Sequence, residues 1–169
     1  MIPRFPRRER DANSQRVTIR HLYISGGHNY FGHHGQPPGD HSCIEIAEVE
    51  CVAGRGLRGD RFFDYKDNYK GQITFFSRDL FQSMCDALKI HDRSPAVLRR
   101  NAIVEGVELN SLIGREFEVQ GIRFLGMAEC SPCYWMNSAF GAGAEKFLQG
   151  RGGLRAKILT NGILRAENQ

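Results

Sequence analysis

Only one stretch of this chain keeps a helical period, and nearly everything else alternates in short runs between turns. From Arg78 to about Lys89 the apolar residues Leu80, Phe81, Met84, Cys85 and Leu88 fall on one helix face, and Ser77 precedes them as an N-cap. Elsewhere the period is two. Val17–Ile24 and Cys43–Val52 alternate, Gln72–Phe76 reads as a buried strand, and Asn101–Val107 follows. Glu116 to Leu125 predicts a hairpin turning at Gln120-Gly121, and Arg155 to Arg165 a second one turning at Asn161-Gly162. Leu109–Gly114 reads as a turn, Ser94-Pro95 as the cap of another, and Ala142–Leu148 as a short helix. The expected fold is mainly β, a closed or nearly closed barrel with a few short helices.

The chain has 169 residues, enough for one domain with a real core, and 41% hydrophobic against 25% charged residues is the balance of an ordinary globule. No apolar run approaches the ~18 residues that a membrane span needs. Residues 1–16 carry five arginines against Glu9 and Asp11, so most of the net charge of +4 lies there and the body is nearly neutral. We read 1–16 as a flexible basic arm and 17–169 as a single domain. A nucleic-acid footprint should continue across the fold, so neither nucleic acid nor membrane is an expected partner. Five cysteines and no secretory signal point to reduced thiols in the cytoplasm.

Cys130-Ser131-Pro132-Cys133 is the stretch richest in chemistry. It follows an apolar run and leads into the only tryptophan, Trp135. Two thiols at this spacing can be a redox pair, half of a zinc site, plain structural cysteines, or a reactive thiol beside an anion pocket. A thioredoxin would place the pair early and offer a proline later, yet no proline follows Pro132. Zinc would need a second pair, and Cys43 and Cys51 are too far apart in sequence to form one. Nearby arginines would favour a thiolate able to carry sulfur or bind a soft metal.

Gly54-x-Gly56-x-x-Gly59 matches a dinucleotide fingerprint in letters only, because no helix opens after its third glycine. The same loop carries Arg55, Arg58 and Arg61, which suit either an anion or a tight turn with internal ion pairs. His28, His33, His34 and His41 crowd into one Gly/Pro-rich loop, where they can bind metal or line a pocket mouth.

Taken together these segments resemble the MOSC family, named after the C-terminal domain of molybdenum-cofactor sulfurases. Gly56-Leu-Arg-Gly-Asp-Arg61 is similar to its G-x-x-GDR turn, and Arg99-Arg-Asn-Ala-Ile-Val-Glu-Gly106 to its R-x-N-I-V-V-x-G strand. Leu112-Ile-Gly114, the Cys130–Cys133 loop and Arg151-Gly-Gly-Leu-Arg155 follow in the family's order, covering most of residues 17–166. The resemblance implies a barrel of the pyruvate-kinase type and a link to molybdenum cofactor (molybdopterin). It makes Cys133 the working sulfur, a molybdenum ligand through the cofactor, with Cys130 as an assisting thiol. It implies cofactor contacts from Arg99 and Asn101; beside these we expect Arg58, Arg61 and Arg100 at the cofactor's anionic group, with Asp60 positioning Arg61. Pyridoxal phosphate belongs to a separate sulfurase domain and is not expected here.

Two activities fit that expectation. A bound cofactor would reduce N-hydroxylated substrates with electrons from an external protein, or Cys133 would carry sulfur as a persulfide received from a donor protein. A non-catalytic barrel that binds a small anion is the third reading. Arg100 stands where amidoxime-reducing relatives have proline, and Pro132 where they have arginine.

Overall fold

Ser77 is the pivot between the two kinds of pattern. In the computed structural model, which describes residues 16–167, strand β5 (Ile73–Ser77) runs straight into helix α1 (Arg78–Leu88). The Ser77 hydroxyl accepts the Leu80 N–H at 3.2 Å, and Lys89 closes the helix at φ 56°. The apolar face of α1 buries Phe81, Met84 and Cys85. A 3-10 turn at Pro95–Leu98, capped by Ser94, then leads to strand β6 (Ala102–Glu105), parallel to β5. A parallel pair needs such a crossover, and α1 supplies it.

The other strands pair antiparallel. They are β1 (Thr18–Ile24), β2 (Ile44–Ile46), β3 (Glu48–Val52), β4 (Gly56–Leu57), β7 (Glu116–Val119), β8 (Ile122–Glu129), β9 (Leu154–Ile158) and β10 (Gly162–Arg165). Among the described residues they form a mixed seven-stranded sheet, β2-β1-β6-β5-β9-β8-β7, and a three-stranded sheet, β10-β3-β4. The fold is mainly β with a few helices, as expected; of the closed or nearly closed barrel, no closed ring is present among the described residues, whose hydrogen-bonded strands form two sheets. The alternating run Cys43–Val52 breaks at Ala47, where the chain leaves the large sheet for the small one. Side chains fill the space between the sheets: Ile19, Leu22, Phe75, Phe124 and Ile158 of the large one meet Val49, Cys51, Leu57 and Leu164 of the small one. A few polar bonds stitch the seam. Gly54 N–H donates to Ile158 at 3.0 Å, and buried Gln72 accepts from Ile158 N and donates to Gly54 O.

One hairpin formed and one did not. Gln120 (φ 52°) and Gly121 (φ 81°) turn β7 into β8, as a two-residue loop with positive φ at both positions requires. Asn161-Gly162 does not fold β9 and β10 into a hairpin, since the two strands lie in different sheets. Neither residue adopts positive φ, and the Asn161 side chain instead accepts the Ala53 N–H at 2.7 Å.

The opposite face of the large sheet is covered by helices. Tyr23, Phe76 and Ile103 pack against α1, α2 (Trp135–Ala139) and α3 (Ala144–Leu148). The basic arm expected at 1–16 lies outside the described residues except for Arg16, which pairs with Glu167 at 2.7 Å.

Candidate functional site

A cavity of about 210 Å³ opens on the helix-covered side of the large sheet. Strand register builds its floor. Thr74 of β5 lies opposite Arg155 of β9, which lies opposite Ala128 of β8, and Cys130 follows two residues along. On β9 the alternation is clean: Leu154, Ala156 and Ile158 enter the core, so Arg155 must face the other way, into the cavity. Arg99 and Arg100, at the end of the 3-10 turn, close one side, and Arg61 another.

These guanidiniums are held in an unusual way. Arg99 is only 9% exposed and sits at φ 53°. It donates to Ser25 Oγ and Gly27 O, each at 2.7 Å, and to His41 O at 2.9 Å. All three acceptors are neutral. Burial, then the neighbouring Arg61 charge, lower its pKa from the usual value. Arg100 donates to the carbonyls of Gly152, Leu98 and Cys130, again without a carboxylate. Arg61 reaches Asp60 Oδ1 and the Arg99 carbonyl, each at 3.3 Å, and lies 4.8 Å over the Phe62 ring. For Arg155, burial works against the charge, but the Cys130 sulfur and Tyr69 outweigh it and raise its pKa.

Asp60 and Asn101 stand behind this wall, outside the cavity lining. Buried Asp60 accepts the N–H groups of Ser25 and Phe62, each at 3.1 Å, and lies 3.4 Å from the Asn101 amide nitrogen. Asn101 accepts Thr74 N–H at 2.9 Å and donates to Tyr23 O, pinning β5, β6 and β1 together at the cavity. Arg58 is elsewhere: it pairs with Glu50 and covers the Phe63 ring at 5.0 Å, away from the cavity. Arg55 closes onto Asp64. The arginine loop thus divides, with its first two members forming internal pairs and the third facing the pocket.

Both thiols of the Cys130–Cys133 loop line the cavity, under different conditions. Cys130 is 6% exposed; its N–H donates to Gly153 O at 2.7 Å and its carbonyl receives Arg100. The loop lies so close on Gly152 that a side chain there would run into the Cys130 carbonyl. Cys133 is exposed, and its carbonyl accepts from Met136 N at the start of α2.

The rim is aromatic. Tyr30 and Tyr134 flank Trp135 at ring distances of 5.0 and 4.8 Å, and His34 Nδ1 lies 3.2 Å from the Tyr134 hydroxyl across the mouth. The Trp135 indole N–H is buried with no partner among the described residues, an orphan donor in the wall of the pocket. Asn29 fixes the histidine loop with two bonds to His41, at 2.9 and 2.8 Å. His28 and His34 line the cavity. His33 instead bonds to the Pro37 carbonyl. Burial, then Arg61, lower the His28 pKa, with Asp60 opposing. Among the described residues, no group of three or more His, Cys, Asp or Glu side chains could hold a metal ion.

Arg155, which ends the Arg151–Arg155 motif, was not among the expected cofactor contacts, and neither were Thr74, Tyr30 and the Trp135 indole. Arg155 had a further signal: the alternation of β9 places it opposite its apolar neighbours. Tyr30 and the indole had none, because their meeting depends on two loops folding together.

Comparison with known proteins agrees with this architecture. The family model described as MOSC domain matches residues 33–169. No curated protein matches the chain in sequence. The crystal structure of the YuaD protein from Bacillus subtilis is similar at TM-score 0.68 and 17% identity, covering 89% of this chain and 91% of that one. YiiM from Escherichia coli is similar at TM-score 0.58 and 17% identity, with coverages of 86% and 66%. At such identity these structures speak to the fold.

Proposed function

The chain belongs to the MOSC domain family, and we propose that its arginine-floored pocket binds molybdenum cofactor, with Cys133 as the protein's thiol donor to the metal. One observation carries this reading. Four guanidiniums (Arg61, Arg99, Arg100 and Arg155) line the pocket, while the only ion pair any of them makes among the described residues is that of Arg61 with Asp60. Such an excess of buried positive charge suits an anionic ligand. The residues present fit the cofactor in two further respects. Arg61 has more N–H groups than its two protein acceptors use, leaving donors for an anionic group. One cysteine without a surrounding cluster of metal ligands is a donor for a metal that arrives with its other ligands attached.

In this reading Arg61 and Arg155 hold the anionic part of the cofactor. Arg99 and Arg100 fix the loops that frame it. The aromatic rim around Trp135 excludes water and offers an indole N–H to a ligand acceptor. When bound, the cofactor supplies a two-electron centre of the kind that reduces N-hydroxylated substrates. Electrons then come from a separate protein, and all five cysteines are free, as a reducing cytoplasmic setting requires.

A second reading, that Cys133 carries sulfur as a persulfide, is favoured by the exposure of that thiol, which a donor protein can reach. Metal and pterin analysis of protein purified from a cofactor-competent host tests the choice. Stoichiometric molybdenum and pterin, with molybdenum lost in Cys133→Ala, is the expected result. Folded protein free of both overturns the cofactor reading, and sulfane sulfur on Cys133 in that protein establishes the second.

A further inference from the structure

The two thiols of one loop share one pocket but not one environment. Cys133 is open to solvent, whereas Cys130 lies beneath it with its main chain clamped by Gly153 and Arg100. Cys130 is not an ordinary buried cysteine either. Cys51, in the apolar core between the sheets, shows the ordinary case, packed among hydrocarbon side chains. Around Cys130 stand polar and charged groups instead. Strand register sets Arg155 opposite Ala128, two residues before Cys130, on a shared face. Thr74 and Tyr69 line the same floor. A cysteine retained only to fill space would sit among apolar side chains, as Cys51 and Cys85 do.

We propose that Cys130 is the inner station of a sulfur relay: Cys133 takes sulfane sulfur from a persulfide donor and passes it to Cys130, which holds it beside Arg155 for an acceptor bound in the pocket. The inference rests on the sulfur-carrier reading given above. In the first step the Cys133 thiolate attacks the outer sulfur of the donor persulfide, and the donor's inner sulfur leaves as a thiolate. In the second, the Cys130 thiolate attacks the outer sulfur now on Cys133. A Cys130–sulfur bond forms, the Cys133–sulfur bond breaks, and Cys133 leaves as a thiolate. Each step moves one neutral sulfur atom. The proton lost by the attacking thiol is regained by the leaving one, and no external oxidant or reductant is consumed. Arg155 acts as a positioning residue, placing positive charge where the incoming persulfide accumulates negative charge.

The test uses the reduced full chain and glutathione persulfide, with alkylation at timed intervals and fragment-ion mass spectrometry to locate the added sulfur. Label should reach Cys133 first and Cys130 later. Cys130→Ser should hold it at Cys133, and Cys133→Ser should slow labelling of Cys130 by about tenfold or more, because a buried thiol reacts poorly with a bulky donor. Arg155→Met should load Cys133 normally but lose most of the Cys130 label, and Arg155→Lys should restore part of it, a rescue that a merely structural role would not give. Three results overturn the relay while leaving Cys133 a carrier: no label at Cys130, label there at the normal rate in Cys133→Ser, or a Cys130–Cys133 disulfide with release of sulfide. Failure of Cys133 to load overturns the carrier reading and the relay together.

Discussion

Arg55 and Arg58 on one side of the glycine loop, and Arg61 with Arg99 on the other, are the same residue type used in opposite ways. The outer two each close onto a carboxylate of their own, Asp64 and Glu50, in half-exposed pairs. Of the inner two, Arg61 alone reaches a carboxylate, Asp60, and both otherwise donate to carbonyls and a hydroxyl. An exposed pair is nearly neutral in net charge and worth little to stability. A buried guanidinium bonded to neutral acceptors keeps its charge uncompensated. It therefore serves as structure and as an electrostatic site together, a combination the outer pair cannot provide.

The largest effect that can break this contrast is expected at Arg99. Arg99→Met leaves Ser25 Oγ, Gly27 O and His41 O without their donor, and should cost about 3 kcal/mol of unfolding free energy in a denaturant titration. A loss below about 1 kcal/mol would make Arg99 no more structural than the outer arginines. Arg61→Gln should separate the two roles: cofactor affinity falls about tenfold, roughly the value of one charge-assisted hydrogen bond, while the unfolding midpoint moves little. An equal loss of stability and affinity would contradict that separation.

Mild acid should act on the inner region first, because the carboxylate of the outer Arg55–Asp64 pair is held below its usual range by Arg55. Burial and Arg61 lower the pKa of His28 from 6.5 in the folded chain, so the unfolded chain takes up the proton first as pH falls. Stability is untouched by this group above pH 6.5 and declines below it. Thermal melts of the parent chain and His28→Asn at neutral and mildly acidic pH check this, the variant showing the shallower decline. The smallest effect belongs to Arg58→Gln, expected to change stability by less than about 0.5 kcal/mol and cofactor binding not at all. A binding defect there would return Arg58 to the site.

The sequence carried the helix, the strand runs and one of the two hairpins, because each is written in a local period and a local turn. Asn161-Gly162 has the letters of a hairpin, but Ala53 competes for its side chain and β3 for the strand that follows. That competition is invisible without the tertiary fold. The division of the arginines is similar. Arg55-x-x-Arg58-x-x-Arg61 is evenly spaced, and only the positions of Glu50, Asp64 and the cavity decide which arginine faces the pocket. Cys133 and Arg99 were legible as parts of motifs. Arg155 was legible as the end of a motif and its inward direction as an alternation, and the Trp135 N–H, unpartnered among the described residues, not at all.

The place of β9 has a consequence for how such a chain is made. It is the ninth strand in sequence but sits between the fifth and the eighth in the large sheet, and β10 completes the small sheet beside β3. While the polypeptide emerges from the ribosome, β5 and β8 must wait with open edges until Leu154–Ile158 has cleared the exit tunnel. Completion of the sheet therefore waits on a late strand and is dominated by distant pairings, a slow route with an exposed edge. Arg155 enters with that strand, so the pocket floor closes only after β5 and β8 have both been made.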